Sequence, residues 1–262
     1  MKVAAAQISC ALGDSAANLG KVREFAALAK KSGAELIVFP EMIDTGYSMP
    51  VIQKHARPWK DGAVVDLQKI AKENSIAIVA GISDRDGASI FNAQGLIDSK
   101  GELLAKYRKT HLVTAGALDE RPVFTAGTDF VSCKVDDFTL GLMICYDLRF
   151  PEVSRKLAVD FGVNLLVNSS AWPFPRLEHL RVLALARAIE NQTYLVFANR
   201  VGTDDGIGLC GSSVIVDPYG VVLASASADR EEILYAEISR EVVDLVRETM
   251  RVFEHRRADL YT

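Results

Sequence analysis

Three polar residues stand where apolar, strand-like runs of the sequence end, and their types could carry out a nucleophilic reaction. Glu41 follows the run AELIVFP, Lys109 lies at the end of a predicted hairpin, and Cys145 lies near the end of the run LGLMICY. A cysteine that attacks a carbonyl carbon needs a base to take its proton and a cation or dipole to hold the oxyanion. A glutamate and a lysine supply those two parts, and a cation near the sulfur also favours the thiolate.

Each of the three residues also has an ordinary structural interpretation. A single carboxylate after a strand is usually a solvated loop charge, which is the expectation for Glu41 taken alone. Lys106, Arg108 and Lys109 leave the hairpin together and would usually form a solvated face. Cys145 taken alone is best explained as a small buried hydrophobic residue. Only the combination of all three favours a reactive site over these alternatives.

The remaining cysteines and histidines show no metal-ligand spacing. No CxxC pair occurs, and the wide separation of the cysteines fits a reduced protein better than a disulfide framework or a zinc site. We expect the other three cysteines to be structural: Cys10, Cys133 and Cys210. His111 lies close to Lys109 and would support it rather than react, and three histidines are scattered along the chain: His55, His179 and His255.

Short apolar runs alternate with amphipathic helical stretches, and these elements must position the polar residues. The runs are rich in Val or Ile, as expected for strands that are covered by helices. The sequence predicts six such strands: 3–9, 34–40, 76–83, 140–146, 163–170 and 193–200. Asn18 is expected to cap the first helix, with Gly33 as its stop.

Two further helices have readable ends. One begins at Pro151 and ends at Gly162, with a predicted inner face of Val153, Leu157 and Phe161. The other runs from about 176 to 191, with a predicted inner face of Leu177, Leu180, Leu183 and Ile189. No linker rich in Pro, Ser or Gly divides the chain, so we expect residues 1–262 to form one domain.

The two halves of the chain repeat one order of elements. Each half reads strand, helix, strand, helix, strand and then a hairpin that turns on Asp-x-x-Gly, at 98–101 and at 217–220. Turns that merely look alike are an alternative explanation. If the repeat is real, two similar sheets pack face to face with helices outside, which is an α/β fold built as a four-layer α-β-β-α sandwich.

The composition limits the partners. Of the 262 residues 49% are hydrophobic, which allows a large core without disulfides or metals. The formal net charge is −4 and no block of Lys or Arg occurs, so nothing points to nucleic acid or an anionic membrane surface. The apolar part of MKVAAAQISC is too short for a signal peptide, and no run reaches the roughly 18 apolar residues of a membrane span. We expect a soluble, cytoplasmic protein.

Three sequence blocks resemble those of a known family. FPE at 39–41, YRKTHL at 107–112 and CYDLRFPE at 145–152 are similar, in order and separation, to the signature blocks of the nitrilase (carbon–nitrogen hydrolase) superfamily. The resemblance extends over essentially the whole chain. It implies that Glu41 is the general base, that Lys109 stabilises the tetrahedral intermediate and that Cys145 is the nucleophile. Glu120 matches a second glutamate of the family, which orients the lysine and the substrate amide.

The segments around the nucleophile carry further expectations. An abrupt turn after the strand would expose the sulfur of Cys145 and free the Tyr146 N–H for an oxyanion hole. Trp172 in NSSAWP resembles a pocket-lining segment of the family, although a structural aromatic residue is nearly as good an explanation. Arg149 and Glu152 could form an ion pair that steadies the turn.

The resemblance implies hydrolysis of the C–N bond of a small primary amide through a thioester, without a metal or organic cofactor. The chain has Cys-Tyr-Asp-Leu-Arg at 145–149, whereas nitrilases commonly have Cys-Trp-Glu there, and this favours the amidase and ω-amidase branch. Hydrolysis of N-carbamoyl amines or amino acids is the alternative, and nitrile hydrolysis is less favoured. A non-catalytic binding protein on the same fold and a thiol-redox protein are rivals of another class; the latter would need a resolving cysteine near Cys145.

The C-terminal FEHRRADLY is explained most simply as a solvated, charged tail. Similar tails in the family extend across to a second subunit. The resemblance therefore implies a homodimer or a higher even oligomer, with the tail at about 250–262 in the interface.

Overall fold

The computed structural model describes residues 1–261, apart from the side chain of Ala117. Its strands, in chain order, are β1 (Lys2–Gln7), β2 (Leu36–Val38), β3 (Ala77–Asp86), β4 (Ser89–Ile97), β5 (Leu103–Arg108), β6 (Ser132–Val135), β7 (Phe138–Ile144), β8 (Leu165–Ser170), β9 (Tyr194–Asn199), β10 (Val201–Asp204), β11 (Ile207–Cys210), β12 (Val214–Val216), β13 (Val222–Ser225) and β14 (Glu232–Glu237). Its α-helices are α1 (Ser15–Lys31), α2 (Met49–His55), α3 (Ala63–Asn74), α4 (Pro151–Asp160), α5 (Leu177–Asn191) and α6 (Arg240–Thr249). Short 3₁₀ helices lie at Trp59–Asp61, Gly116–Leu118, Cys145–Arg149 and Ala258–Leu260.

Two six-stranded sheets share one topology. The first has the order β14-β1-β2-β3-β4-β5, and the second has the order β13-β12-β9-β8-β7-β6. In the first sheet β1, β2 and β3 are parallel, and the β4–β5 hairpin continues the sheet in antiparallel fashion. In the second sheet β7, β8 and β9 are parallel, and the β12–β13 hairpin continues it in the same way. The repeat predicted from the two halves of the sequence is therefore present in the structure.

Both hairpin turns are built as the Asp-x-x-Gly pattern predicts. In the first turn the Gly101 N–H donates to the carbonyl of Asp98 at 3.0 Å. In the second the Gly220 N–H donates to the carbonyl of Asp217 at 2.9 Å. Each aspartate side chain also accepts backbone N–H groups of its own turn, which holds the turn closed.

The two sheets pack face to face, and helices cover their outer faces. Alternate residues of β1 point to the two sides of the first sheet: Val3 and Ala5 join the core between the sheets, whereas Ala4 and Ala6 pack with α1 and α3. Helices α4 and α5 cover the second sheet. Each fully buried Val, Leu or Ile contributes roughly 1.5–3 kcal/mol to this packing. The predicted four-layer α-β-β-α sandwich is confirmed.

The predicted cap of the first helix was wrong by one turn. The N-cap of α1 is Asp14, whose side chain accepts the Ala17 N–H at 3.0 Å. Asn18 is buried inside the helix, where its side-chain amide pairs with both backbone groups of Ala11. A polar residue just before an apolar stripe can either cap the helix or bind a neighbouring loop from inside it. Asn18 is buried and does the latter. The predicted stop is confirmed, because Gly33 follows the helix with a φ of +83°.

The predicted inner faces of two helices were partly wrong. In α4, Val153 and Leu157 are buried, but Phe161 lies beyond the helix end and is exposed. In α5, Leu180 is buried, but Ile189 is exposed and Leu177 and Leu183 are only half-buried. The stripe that α5 buries consists of Leu180, Ala184, Arg187, Ala188 and Asn191, which helical spacing places on one face. Ile189 is one residue away from that stripe and faces outward.

Of the helices within residues 1–261, none is both long enough and apolar enough to span a bilayer.

Candidate active site

The strand ends of the two sheets meet at one place in the core. Cys145 follows β7 directly, Lys109 follows β5 directly, and Glu41 lies three residues after β2. Polar contacts join the sheets there. The Gln94 side-chain amide donates to the Ser169 hydroxyl at 2.8 Å, and that hydroxyl donates to the backbone carbonyl of Phe39. The fold thus brings together three residues that are far apart in sequence.

Glu41 is fully buried and is held by three donors. Its Oε1 accepts the side-chain amide of Asn92 at 2.6 Å and the Lys109 ammonium at 3.0 Å, and its Oε2 accepts the Ala171 N–H at 2.8 Å. Gly81 on β3 makes this position possible, because a Cβ there would lie 2.7 Å from the Glu41 Cα. The solvated loop interpretation of this glutamate is therefore wrong.

Lys109 bridges two buried carboxylates. Its ammonium lies 3.0 Å from Glu41 Oε1 and 2.9 Å from Glu120 Oε1, and all three side chains are inaccessible to solvent. Burial on its own acts to lower the pKa of Lys109, but the carboxylates of Glu120 and Glu41 outweigh it and hold the pKa above its ordinary value. Lys109 therefore stays protonated, and the solvated-face interpretation of its cluster does not apply to it. Lys106 and Arg108, by contrast, are partly exposed and pair with the buried Asp84.

Glu120 is fixed from four sides. Its Oε1 accepts the Tyr47 hydroxyl at 3.0 Å and the Asn92 amide at 3.1 Å in addition to Lys109, and its Oε2 accepts the Val113 N–H at 2.7 Å. Burial raises the pKa of Glu120, and the Lys109 charge acts against that rise. The arrangement leaves the lysine ammonium in one place between the two glutamates.

Cys145 occupies a strained turn at the end of β7. Its φ is +44°, a left-handed conformation that costs on the order of 1–3 kcal/mol in a non-glycine residue and persists only where neighbours enforce it. The neighbours are visible: the Cys145 N–H donates to Asn168 Oδ1 at 2.9 Å, and the Ile144 N–H donates to Asp147 Oδ2 at 2.9 Å. The strand and these two hydrogen bonds fix the position of the cysteine.

The thiol of Cys145 is protonated at rest. Burial, followed by the Glu41 carboxylate, raises the pKa of the Cys145 thiol well above its ordinary range. Lys109 acts in the opposite direction, as its charge would suggest, but it is outweighed. The same lysine is already shared by two carboxylates, which limits how far it can favour the thiolate. Such a thiol needs a base when it attacks.

Cys145 opens onto a cavity of about 220 Å³. Tyr146 follows it in the turn and lines the same cavity, with its ring packed edge-on against Phe150. Trp172 is a buried wall residue whose indole N–H donates to the Arg176 carbonyl at 2.9 Å. Trp172 is therefore both a cavity-lining residue and a structural aromatic residue, so the two sequence-based interpretations both apply.

Three basic side chains line the mouth of the cavity. Arg149 lies with its guanidinium 4.5 Å from the centre of the Trp172 ring and 3.3 Å from His179 Nδ1, and Arg176 lines the same opening. The expected ion pair between Arg149 and Glu152 is not found within residues 1–261, because the arginine turns back over the aromatic wall instead. Burial lowers the pKa of Arg149 somewhat, but an arginine remains charged at neutral pH.

Sequence reasoning missed several residues of this site. Asn92 and Tyr47 hold the two glutamates, and Arg176 and His179 line the mouth. A weak signal for Asn92 was available, because it is a polar residue inside the apolar strand SIFNAQGLI. The other three gave no signal, because tertiary packing alone brings Tyr47 to Glu120 and brings Arg176 and His179, at the start of α5, to the cavity.

A wider groove of about 830 Å³ lies elsewhere, between α4 and the C-terminal segment. Glu41, Lys109, Glu120 and Cys145 do not line it. Within residues 1–261, no three His, Cys, Asp or Glu side chains are grouped so that they could hold a metal ion.

Known proteins resemble this chain over its full length. A family model described as carbon-nitrogen hydrolase matches residues 2–248. A 2-oxoglutaramate amidase from Bacillus subtilis (strain 168) is 35% identical over 256 residues, which cover 97% of each chain. A nitrilase from Pyrococcus abyssi (strain GE5 / Orsay) is 31% identical over 268 residues, which cover 100% of this chain and 99% of the relative.

A solved structure of an amidase also resembles this chain. A mutant amidase from Nesterenkonia sp. AN1, with acrylamide joined by Michael addition to its active site cysteine, matches with a TM-score of 0.89. The identity is 27%, and the match covers 100% of this chain and 98% of that chain.

Proposed function

Since the chain belongs to the carbon–nitrogen hydrolase family and is an amidase of the nitrilase superfamily, we propose that Cys145 is its nucleophile and that its substrate is a small primary amide. One observation carries this proposal. The charges of the buried Glu41–Lys109–Glu120 cluster act on the thiol of Cys145, a strained residue that opens onto a small cavity. A protein that only binds a ligand has no need of a buried base, a buried cation and a thiol together.

The first half of the proposed cycle forms a thioester. Glu41 takes the proton of Cys145 as the sulfur attacks the amide carbon, and the carbonyl oxygen becomes an oxyanion. The Lys109 ammonium and the Tyr146 N–H stabilise that oxyanion. The proton held by Glu41 passes to the leaving nitrogen, ammonia departs, and the C–N bond is replaced by a C–S bond.

The second half releases the acid. Glu41, again a carboxylate, takes a proton from water as the water oxygen attacks the thioester carbon. The C–S bond breaks, the thiolate recovers the proton from Glu41, and a carboxylic acid leaves. Glu120 holds the lysine and the amide in place throughout. The raised pKa of Cys145, caused first by burial, supports this scheme, because a protonated thiol requires the base that Glu41 provides.

The mouth of the cavity supports a finer choice of substrate. Arg149, Arg176 and His179 form a basic rim about an otherwise apolar wall. The cavity volume lies below the roughly 300–1,000 Å³ of sites for drug-sized ligands, so the ligand must be short. We therefore propose an ω-amide, with the amide at Cys145 and a carboxylate at the arginine rim. The Bacillus subtilis relative is a 2-oxoglutaramate amidase, and 2-oxoglutaramate is a compound of this kind.

An N-carbamoyl amino acid has the same charge at one end and a terminal amide-like group at the other, so it is the second candidate. A nitrile is the third, and the basic rim does not discriminate against a nitrile that carries a carboxylate. The sequence Cys-Tyr-Asp at 145–147 favours the amide over the nitrile by resemblance.

Ammonia release from four matched compounds tests these choices. Glutaramate should have the highest kcat/KM, and pentanamide, which replaces its carboxylate by a methyl group, should have a much higher KM. N-carbamoyl-β-alanine and 4-cyanobutyrate should be poorer substrates than glutaramate. If the carbamoyl compound or the nitrile had a higher kcat/KM than glutaramate, that compound would replace the amide as the proposed substrate. No turnover of any compound would favour a binding protein.

We also propose that residues 1–262 act as one domain and assemble as a homodimer or higher even oligomer in a reducing, cytoplasmic setting. Leu260 and Tyr261 in the C-terminal segment are largely exposed in the single chain, which supports an interface there. Thr262, the last residue of the proposed interface tail, lies outside the described residues. A monomer mass in light scattering at micromolar concentration would refute the assembly. The four cysteines are free thiols, which supports a reducing setting.

A further inference from the structure

A second buried carboxylate, Asp147, lies behind the proposed active site and takes no part in the cycle described above. It is inaccessible to solvent and sits two residues after Cys145, in the 3₁₀ turn Cys145–Arg149. On one side its Oδ2 accepts the Ile144 N–H at 2.9 Å, which closes the turn that carries Cys145.

On its other side Asp147 binds the segment that carries Lys109. Oδ2 also accepts the Tyr107 hydroxyl at 2.7 Å. Oδ1 accepts the His111 N–H at 3.2 Å and the Thr110 hydroxyl at 3.3 Å, and it lies 3.0 Å from His111 Nδ1. These partners stand two residues before Lys109 and one and two residues after it. One carboxylate therefore joins both segments that the proposed chemistry must hold in register.

The surroundings make this junction stiff. The His111 ring stacks on Phe150 with its centre 3.9 Å from that of the phenyl ring, and Phe150 is the residue that ends the cysteine turn. The Tyr107 hydroxyl accepts the Thr110 N–H at 3.2 Å, so the segment around Lys109 is also closed on itself. A buried carboxylate with this many donors has little freedom to move.

We propose that Asp147 is a positioning residue for the amidase reaction, because it fixes Lys109 relative to the Cys145 turn. This inference rests on the proposed roles of those two residues. Loss of the junction misplaces the cation that meets the oxyanion, whereas Glu41 keeps two of its three donors, the Asn92 amide and the Ala171 N–H.

The variant Asp147→Asn distinguishes the contacts of Asp147 with the cysteine turn from its contacts with the segment around Lys109. The carbonyl oxygen of an asparagine can still accept the Ile144 N–H and the Tyr107 hydroxyl, so the cysteine turn is kept. Its NH₂ group then faces the N–H of His111, and two donors repel one another, whereas the Thr110 hydroxyl can rotate to accept from it. Asp84→Asn is the matched control. Asp84 is also a buried aspartate bound to the strand before Lys109, through Lys106 and Arg108, but it has no contact with the Cys145 turn in the hydrogen bonds and ion pairs of residues 1–261.

Two measurements test the proposal on the full chain. Iodoacetamide labelling, located at Cys145 by peptide mass spectrometry because the other three cysteines are also free thiols, counts the intact Cys145 sites. Its time course gives the alkylation rate constant of Cys145, for a displacement that forms no oxyanion. Amide turnover per counted site then gives kcat and KM. Since a misplacement of about 1 Å can cost roughly a hundredfold in rate, we expect Asp147→Asn to lower kcat per site by at least about tenfold. We expect KM and the alkylation rate constant to stay unchanged, and Asp84→Asn to keep its kcat per site.

Two results would overturn the inference. Equal kcat per site in wild type and Asp147→Asn would give the aspartate a structural role only. A fall in alkylation that matches the fall in turnover would mean that only the cysteine turn had been disturbed. If Asp147→Asn does not fold, the Tyr107→Phe/Thr110→Val double variant removes two of the donors and is judged by the same criteria. Failure of the proposed function looks different, because wild-type turnover would then survive complete alkylation of Cys145.

Discussion

The buried Glu41–Lys109–Glu120 cluster, which we call the floor although its side chains do not line the cavity, and the mouth of the cavity stabilise charge in opposite ways. On the floor, Lys109 is shared by Glu41 and Glu120, and all three side chains are inaccessible to solvent. At the mouth, half-buried Arg149 lies over aromatic rings and beside His179, and none of the ion pairs within residues 1–261 joins it to a carboxylate. Buried charges must be paired because desolvation is costly, whereas a cation with access to water can remain unpaired. The charge of Lys109 is therefore balanced by protein groups alone, whereas the cations at the mouth can still pair with an anionic ligand.

This difference predicts a division of labour between the two regions. Substitutions on the floor should act on kcat, because they remove groups that serve the transition state. Substitutions at the mouth should act on KM, and only for substrates that carry a negative charge.

The largest effect is expected for the nucleophile. Cys145→Ala and Cys145→Ser should both abolish turnover, because neither retains a thiol. The fold should remain intact, because backbone N–H groups that donate to the Asn168 and Asp147 side chains hold the turn. Activity and thermal unfolding are measured on the same samples. Cys133→Ala is the control and should keep its activity, since Cys133 lies on β6, away from the cavity. Near-normal activity in either Cys145 variant would end its assignment as the nucleophile.

The next effect is expected for the base. Glu41→Gln keeps the shape and an acceptor for Lys109 but cannot take a proton. Loss of a positioned base costs about 10²–10⁴-fold, so kcat should fall by at least about a hundredfold, or roughly 2.7 kcal/mol of barrier. Steady-state kinetics on glutaramate provide the measurement. An effect on KM alone would show that Glu41 binds the substrate and does not act as the base.

The same contrast explains how much the sequence could predict. Glu41, Lys109 and Cys145 each follow a strand directly or within three residues, so strand patterns and the three blocks suffice to find them. The rim depends on contacts that no local pattern encodes: Arg149 meets His179 across 30 residues, and it does so instead of pairing with Glu152 three residues away. Local spacing gives the elements, whereas the partner of a flexible, charged side chain depends on the tertiary surface that it meets.

Helix faces show the same limit on a smaller scale. The sequence predicted that α5 buries Ile189, but the helix is rotated so that Ala188 and Asn191 face the sheet. Small residues allow the helix to approach β9 and β12 closely, and a pattern of large apolar residues does not reveal that preference.

The third effect concerns the rim. Arg149→Met should raise KM for glutaramate roughly tenfold or more, since a hydrogen bond to a charged group contributes about 1.5–3 kcal/mol. Its kcat should change little, and KM for pentanamide should not rise, because that substrate has no carboxylate. Arg149→Lys should fall between wild type and Arg149→Met, because lysine keeps the charge but loses the planar fork. If both substrates suffer equally, the arginine supports the aromatic wall and does not bind an anion.

The smallest effect separates the two regions without any substitution. Salt screens charges that face water far more than buried pairs, and the Debye length falls from about 10 Å at 0.1 M to about 3 Å at 1 M. His179 is exposed and Arg149 and Arg176 are half-buried, so their attraction for a carboxylate should weaken as salt is added. Interactions of exposed charges are typically about 0.2–1 kcal/mol, so KM for glutaramate should rise by at most roughly fivefold.

Pentanamide is the control for that experiment, and its KM should not rise with salt. The kcat for both substrates should stay constant, because the Glu41–Lys109–Glu120 cluster is closed to solvent ions. A parallel rise in both KM values would mean that salt acts on the protein as a whole. A fall in kcat with salt would mean that the floor opens to solvent during turnover, and the contrast between a closed floor and an open mouth would then hold only for the resting enzyme.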